Sequence, residues 1–181
     1  MALERVSPGV LGYDPEQVDA LMDRIRRQYE NPQSRIITPS MLAVVRFELI
    51  SGGYRIDQVD QSIATVAEDF EKREVERRLD RIGKTALVKE TRRLLGDVLQ
   101  VLELDPKKRF SPARNGYNPK LVNRLLAEFG SEDGVLTGPA TMEIRLRPLG
   151  TARLGPNRTE VNEFLSLLVG ILNRQELIAS N

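Results

Sequence analysis

Cysteine and histidine are both absent from this sequence. Their absence excludes disulfides, thiol nucleophiles, histidine-dependent catalytic triads and the usual zinc ligand sets. It also removes the one side chain that ordinarily titrates near neutral pH. Chemistry based on carboxylates, lysine or tyrosine remains open. Most familiar enzyme chemistries are therefore excluded, and we expect neither a metal nor another cofactor, but composition alone does not define the function.

Long apolar runs and an excess of one charge are lacking as well. The longest apolar stretch, Leu165 to Leu172, is interrupted by Ser166 and Gly170, whereas a bilayer-spanning helix needs roughly 20 apolar residues. Residues 1–8 do not contain the apolar core of a secretory signal peptide. The 27 basic and 26 acidic side chains give a net charge of +1 and are spread along the chain, which argues against nucleic-acid binding. We predict a cytoplasmic protein.

What the sequence does contain is a recurring pattern, which we call a box. A glycine precedes a tyrosine or proline, and five residues after that tyrosine or proline comes a valine followed by Asp or Asn. A hydrophobic residue also lies seven positions before the tyrosine or proline. Boxes 1 to 4 are Gly12-Tyr13 with Val18-Asp19, Gly53-Tyr54 with Val59-Asp60, Gly116-Tyr117 with Val122-Asn123, and Gly155-Pro156 with Val161-Asn162. The preceding hydrophobic residues are Val6, Phe47, Phe110 and Leu149.

The spacing of the boxes predicts an internal duplication. Boxes 1 and 2 lie close together, as do boxes 3 and 4, and a longer charged segment separates the two pairs. We expect two related half-domains, 1–75 and 106–181, joined by a charged central helical segment at 76–105. The fold class predicted from this pattern is mainly α.

Each box is predicted to mark the start of a helix. Apolar residues recur four and seven positions after each valine, which places them on one helical face. In box 1, Asp14 suits the N-cap, Pro15 suits the first helical position, and Tyr13 with Val18 has the spacing of a hydrophobic staple. We interpret the glycine before the tyrosine as a turn residue whose backbone conformation disfavours a β-carbon.

The other boxes vary this pattern. Box 3 repeats it with Asn118 as the cap, and box 4 places Asn157 and Glu160 at the spacing of a capping box. Box 2 has Arg55 where a cap is expected, so its helix is predicted to begin at Asp57.

The segment between the two boxes of a pair allows two interpretations. Thr38-Pro39 has the composition of a cap and first helical residue, which favours a short helix. Alternation of apolar and polar residues instead favours a short strand. The strand interpretation concerns Met142, Ile144 and Leu146 in the second half, and Val45, Phe47 and Leu49 in the first.

The central segment carries a wide apolar surface. Gly83 is expected to bend or divide its helix, because glycine costs about 1 kcal/mol relative to alanine there. Farther along lies an apolar cluster too wide for one face of a solvated helix, which favours contact with a partner helix. We therefore predict an association face formed by Leu94, Leu95, Val98, Leu99 and Leu102.

Around box 2 the sequence resembles the N-terminal domain of the DivIVA family. Thr38-Pro39, Leu42, Phe47, Gly53-Tyr54 and Val59-Asp60 match that domain in type and spacing, and the four boxes together resemble DivIVA-domain repeat proteins. The resemblance implies a bacterial cytoplasmic scaffold of cell division or polar growth that is not an enzyme. It also implies self-association through helices and, in many members, contact with the inner leaflet of the membrane.

Three functions are therefore considered. The first is a scaffold that binds copies of itself or other proteins. The second is a membrane-surface adaptor whose loops, such as Leu49-Ile50 and Arg153-Leu154, dip among anionic headgroups. DivIVA members commonly place an aromatic and a basic residue before Gly-Tyr, where this sequence has Ser51 and Gly52. The third is an enzyme or ligand binder with carboxylate and arginine groups in a cleft between the halves.

Overall fold

The computed structural model describes residues 3–31 and 33–180, and it is mainly helical, which confirms the predicted fold class. Short strands lie between the helices. The helices are α1 (Pro15–Glu30), α2 (Pro39–Val44), α3 (Ile56–Glu103), α4 (Pro119–Leu126), α5 (Thr141–Leu146) and α6 (Arg158–Ser180). The strands are β1 (Leu11–Tyr13), β2 (Leu49–Ser51), β3 (Pro112–Arg114), β4 (Gly130–Glu132), β5 (Val135–Thr137) and β6 (Leu154–Pro156). Within the described residues, every helix is too short or too polar to span a lipid bilayer.

The chain divides into two compact units, Met1–Lys72 and Arg73–Asn181. The boundary falls inside α3, so this helix contributes to both units. The segment 76–105 that the sequence set apart lies in the second unit and is helical as far as Glu103.

The first unit is built on the helices that follow boxes 1 and 2. Antiparallel strands β1 and β2 pair with Gly12 opposite Ile50. The Asp14 carboxylate accepts a hydrogen bond from the Glu16 amide and caps α1, as predicted. Apolar stripes from α1 and α3 then meet in one buried cluster together with residues around α2. Its buried members are Val18, Leu21, Ile25, Ile37, Leu42, Val59, Ile63 and Phe70.

Two alternatives in the first unit are resolved. Helix α2 forms, and the Thr38 hydroxyl accepts a hydrogen bond from the Met41 amide at 3.1 Å, which confirms the short helix after Thr38-Pro39. The strand interpretation of 45–49 is wrong for most of that stretch, because β2 begins only at Leu49. Helix α3 begins at Ile56, one residue earlier than expected.

The second unit has an element order related to that of the first. Strands β3 and β6 pair antiparallel, α4 follows box 3, and α6 follows box 4. A β-hairpin, β4 with β5, stands after α4, and its two turn residues, Asp133 and Gly134, both have positive φ, as a type I′ turn requires. The sequence contained this Asp-Gly signal, but the hairpin was not predicted.

The strand interpretation of Met142, Ile144 and Leu146 is wrong, since these residues lie in helix α5. Strand alternation would bury every second residue and expose the others. Instead Ile144 and its neighbour Arg145 are both buried, and Leu146 is 56% exposed. The burial pattern of residues 144–146 is therefore that of a helix and not that of a strand.

Helix α3 is broken at Gly83, whose φ of 73° and ψ of 164° are not helical. This confirms the predicted interruption. Arg78 Nη1 lies 3.1 Å from Glu90 Oε1, although twelve residues of straight helix would span about 18 Å, farther than two side chains can bridge. The helix therefore bends sharply here. Arg174 Nη1 of α6 lies 3.5 Å from the same Glu90 oxygen, so this ion pair links α6 to the part of α3 that follows Gly83.

Candidate interaction site

The four box valines occupy equivalent positions at four helix starts. Each is at most 1% exposed. Each donates its amide hydrogen to the carbonyl four residues earlier, at 3.0 to 3.1 Å. The donor and acceptor pairs are Val18 with Asp14, Val59 with Arg55, Val122 with Asn118, and Val161 with Asn157. The boxes therefore fold in the same local way.

The glycines of boxes 1 and 2 lie against each other. A β-carbon on Gly12 would be 2.5 Å from the Tyr54 carbonyl oxygen, and one on Gly53 would be 2.5 Å from the Tyr13 carbonyl oxygen. Neither glycine has a positive φ. The turn interpretation is therefore wrong for both residues, and glycine is needed because two backbones cross without room for a side chain.

Reciprocal hydrogen bonds hold this crossing together. The Tyr13 amide donates to the Tyr54 carbonyl at 2.9 Å, and the Tyr54 amide donates to the Tyr13 carbonyl at 2.8 Å. Contacts that repeat with the two partners exchanged are typical of a two-fold relation. Boxes 1 and 2 thus pair as equivalent halves of one arrangement.

Boxes 3 and 4 cross in the same manner, but with one change. A β-carbon on Gly116 would lie 2.5 Å from the carbonyl oxygens of Gly155 and Pro156, and one on Gly155 would overlap the carbonyl oxygen of Tyr117. The Tyr117 amide donates to the Pro156 carbonyl at 3.0 Å. Proline has no amide hydrogen to return this bond. In the second unit, therefore, only one of the two reciprocal main-chain hydrogen bonds is present, from Tyr117 to Pro156.

Each crossing is also tied through side chains. The Tyr54 hydroxyl donates to the Asp19 carboxylate at 3.2 Å, and the Tyr117 hydroxyl lies 3.1 Å from Asn162 Oδ1. A box 2 or box 3 tyrosine thus reaches the polar residue of the opposite box. Burial, followed by the hydrogen bond to Asp19, raises the pKa of Tyr54 above its ordinary value.

Cations and aromatic rings complete the surroundings of these tyrosines. The Arg5 guanidinium lies 5.7 Å from the centre of the Tyr54 ring, and the Arg158 guanidinium lies 5.3 Å from that of Tyr117. Two of the hydrophobic residues that precede the boxes pack against the opposite box. The ring centres of Phe47 and Tyr13 are 5.2 Å apart, and those of Phe110 and Phe164 are 5.7 Å apart. A third such residue, Leu149, is buried. The remaining polar box residues, Asp60 and Asn123, are buried and half-buried respectively.

A further link between boxes was missed by the sequence analysis. The Asp14 amide donates to the Glu48 carbonyl at 2.8 Å, and the Glu48 amide donates in return to Gln17 Oε1 at 3.0 Å. The third helical residue therefore binds the opposite segment. The same two bonds occur in box 2, where the Arg55 amide donates to the Glu4 carbonyl and the Glu4 amide donates to Gln58 Oε1. They occur again in box 4, between Asn157, Ser111 and Glu160.

The capping box expected at Asn157 and Glu160 is half formed: Asn157 caps the helix, since its Oδ1 accepts from the Thr159 and Glu160 amides at 2.9 and 3.4 Å, but the Glu160 side chain bonds elsewhere. The Glu160 carboxylate accepts from the Ser111 amide at 2.7 Å, and the Asn157 amide donates to the Ser111 carbonyl. The reciprocal bond from Glu160 to its own cap is replaced by a bond to a distant segment. A signal was present, because boxes 1, 2 and 4 all carry Gln or Glu at this position.

Exposed apolar side chains lie on both faces of the β1 and β2 ladder. Four large hydrophobic side chains of β1, β2 and the residue before β1 are between 40% and 56% exposed. We call this surface the apolar tip; it consists of Val10, Leu11, Leu49 and Ile50. The corresponding strands of the second unit carry exposed Arg114 and Leu154 instead, and exposed Arg153 directly precedes β6.

The association face predicted in the central segment is only partly at the surface. Leu95 and Val98 are 5% and 3% exposed, so the prediction is wrong for these two residues, which are buried within the chain. Leu94, Leu99 and Leu102 are half-buried. Other residues of the same chain bury Leu95 and Val98, and the sequence pattern did not show this.

Within the described part of the chain, no group of three acidic side chains is placed to hold a metal ion. Comparisons with models of protein families, with curated proteins and with solved structures found no match for this chain.

Proposed function

We propose that this chain is a non-enzymatic scaffold that binds further copies of itself, and that it is related to the DivIVA-domain repeat proteins its boxes resemble. We also propose that its two units descend from one paired-box module by duplication. The two box pairs, with their crossing glycines and buried valines, support this relation.

The internal order of the two units supports the duplication. The first runs β1, α1, α2, β2, α3, and the second runs β3, α4, hairpin, α5, β6, α6. A six-residue helix precedes the second box in each unit, and its central apolar residue is fully buried, Leu42 in α2 and Ile144 in α5. On this proposal, the hairpin stands where the first unit has the second half of α1.

The apolar tip is the observation that carries the scaffold function. Four large hydrophobic side chains on or next to the β1 and β2 ladder expose apolar surface that costs free energy in water. Several exposed large hydrophobic residues close together are typical of sites that bind another protein or a membrane. We place the self-association surface here rather than on the half-buried residues at 94–102.

Sedimentation equilibrium over a wide concentration range tests this function. We expect the wild-type chain to associate, and we expect the double variant Leu11→Ser, Leu49→Ser to remain monomeric. Leu167→Ser is a matched control, because Leu167 is 47% exposed and lies on α6 of the second unit rather than on β1 or β2. A wild-type chain that stays monomeric at high micromolar concentration would refute the proposal.

A membrane-surface adaptor is the second candidate. Exposed Arg114 and Arg153 flank exposed Leu154 on the β3 and β6 ladder, a combination of cations and an apolar side chain that suits anionic headgroups. Co-sedimentation with anionic vesicles at low salt distinguishes this candidate. We expect pelleting of the wild type that is lost in the double variant Arg114→Glu, Arg153→Glu, and absence of wild-type pelleting rejects it.

A further inference from the structure

The bend in helix α3 is made at one residue of the second unit. The part of α3 before it, 73–82, is called the first arm, and the part after it, 84–103, the second arm; both lie in that unit and are helical. Gly83 has a φ of 73° and a ψ of 164°, a combination that essentially only glycine adopts. A straight helix requires only ordinary helical torsions at this position.

The described surroundings of Gly83 leave room for α3 to straighten. Gly83 and the three residues after it are exposed, and an added β-carbon at Gly83 would have no described atom within 4 Å. The helical hydrogen bonds that span residue 83 need helical torsions there, so a straight helix gains them. The bend is therefore held by contacts between the arms and not by crowding at the hinge.

Ion pairs join the two arms across the bend. Arg78 Nη1 of the first arm lies 3.1 Å from Glu90 Oε1 of the second arm, and Arg78 Nε lies 2.8 Å from Glu74 Oε1 of its own arm. Arg174 Nη1 of α6 lies 3.5 Å from the same Glu90 oxygen. The first arm of another copy carries the same Glu74 and Arg78, so it can make these noncovalent contacts equally well.

We infer that two copies of this chain exchange the part before Gly83, so that the first arm of each packs on the second arm of the other. In this exchange α3 straightens, and the Arg78–Glu90 pair forms between two chains instead of within one. A strained, short hinge favours domain exchange, which needs no new surface because each copy replaces the other's own arm. A reciprocal exchange is symmetric and closes at two copies. It uses residues other than the apolar tip and does not rest on the function proposed for that surface.

Alanine at the hinge tests the exchange. All chains in this experiment carry Leu11→Ser and Leu49→Ser, so that association through the tip is blocked. The chain that keeps Gly83 should be monomeric as purified, and refolding from urea at high micromolar concentration should convert part of it to a dimer that persists on dilution. Gly83→Ala disfavours the bend and favours the helix, so it should raise the dimer-to-monomer ratio by at least about tenfold in sedimentation velocity.

Gly96→Ala is the matched control for the hinge variant. Gly96 lies in the second arm, is helical, and likewise has no described atom within 4 Å of an added β-carbon. Its dimer-to-monomer ratio should stay that of the parent chain, and circular dichroism should show that both variants are folded. Equal ratios in Gly83→Ala and Gly96→Ala would overturn the inference and leave the apolar tip untouched.

Charge reversal across the bend shows which arms are in contact. Arg78→Glu and Glu90→Arg each put like charges together, both in the bent chain and in a dimer of identical chains. Refolding the two variants together allows an exchanged pair in which one contact is native and the other has both charges reversed. The mixed dimer should therefore exceed either pure dimer by at least about tenfold. Native mass spectrometry with one variant isotopically labelled measures the three species.

A second pair of reversals is the control for this mixing experiment. Arg77→Glu and Asp97→Arg change exposed charges, one on each arm, that are not part of the Arg78–Glu90 contact. These two variants should combine at random. Random combination of Arg78→Glu with Glu90→Arg as well would contradict the exchange.

Discussion

Gly12 and Gly53 are forty-one positions apart in the sequence, yet the backbone of each occupies the space that a side chain of the other would need. The carbonyl groups of Gly53 and Tyr54 face Gly12, and those of Gly12 and Tyr13 face Gly53. This close contact between boxes 1 and 2 is therefore made by main-chain atoms.

Gly12→Ala should destabilise the protein by about 3 kcal/mol or more, because the new methyl group would meet a carbonyl oxygen at 2.5 Å and the backbones would have to separate. Urea unfolding followed by circular dichroism measures the change. Gly130→Ala is the control, since its β-carbon would lie 3.5 Å from Thr137 Oγ1, an ordinary contact. Equal stability of Gly12→Ala and the wild type would contradict the close crossing.

Two glycines of α3 should respond to alanine with opposite signs. Neither Gly83 nor Gly96 has an atom within 4 Å of an added β-carbon. Gly83 has a φ of 73° and a ψ of 164°, so Gly83→Ala should cost about 1–3 kcal/mol. Gly96 is helical, so Gly96→Ala should stabilise by about 0.5–1 kcal/mol. Thermal unfolding of both variants checks the signs, and a stabilising Gly83→Ala would mean that the helix is continuous.

Asp19→Asn should lower the pKa of Tyr54 towards its ordinary value, because the amide carries no charge to oppose the phenolate. The raised pKa means that the folded protein keeps this proton at pH values where the unfolded chain has lost it. The associated stability is present below pH about 10 and is lost as the pH rises through the folded pKa.

Phenolate absorbance during an alkaline titration measures this change, and Tyr54→Phe identifies the Tyr54 component. Asp23→Asn is the control on the same helix, since Asp23 pairs with Arg26 rather than with a tyrosine. An unchanged titration of Tyr54 in Asp19→Asn would show that the hydrogen bond does not contribute.

Glu160→Ala should destabilise the protein by roughly 1–3 kcal/mol, because the Ser111 amide loses its acceptor. Glu160→Gln should retain most of the stability, since Gln17 and Gln58 accept the corresponding bonds in boxes 1 and 2. Chemical unfolding of the two variants, with Glu163→Ala as an exposed control on α6, separates these outcomes. If Glu160→Gln were as unstable as Glu160→Ala, the link across the box pair would be unimportant.

The helix starts could be predicted from sequence because their determinants are local. Asp14 caps the helix that contains Val18, and both residues lie within one turn of its start. The reason for Gly12 could not be predicted in this way, because its neighbour in space comes from another box. Local pattern identified the right residue and assigned it the wrong physical role.

The same distinction explains the misplaced association face. Leu95 and Val98 have an apolar pattern that requires a covering, and periodicity alone does not say whether another segment of the chain or another molecule provides it. The apolar tip was only partly predicted, through Leu49 and Ile50, because Leu11 joins the same ladder only when β1 pairs with β2.

The crossing of main chains in the first unit limits how mutations there can be repaired. Genetic suppressors commonly act by trimming or reshaping a neighbouring side chain, and here the obstructing atoms are carbonyl groups that every amino acid possesses. A selection that begins from Gly12→Ala or Gly53→Ala should therefore yield reversion to glycine, with compensating changes elsewhere in the chain absent or rare.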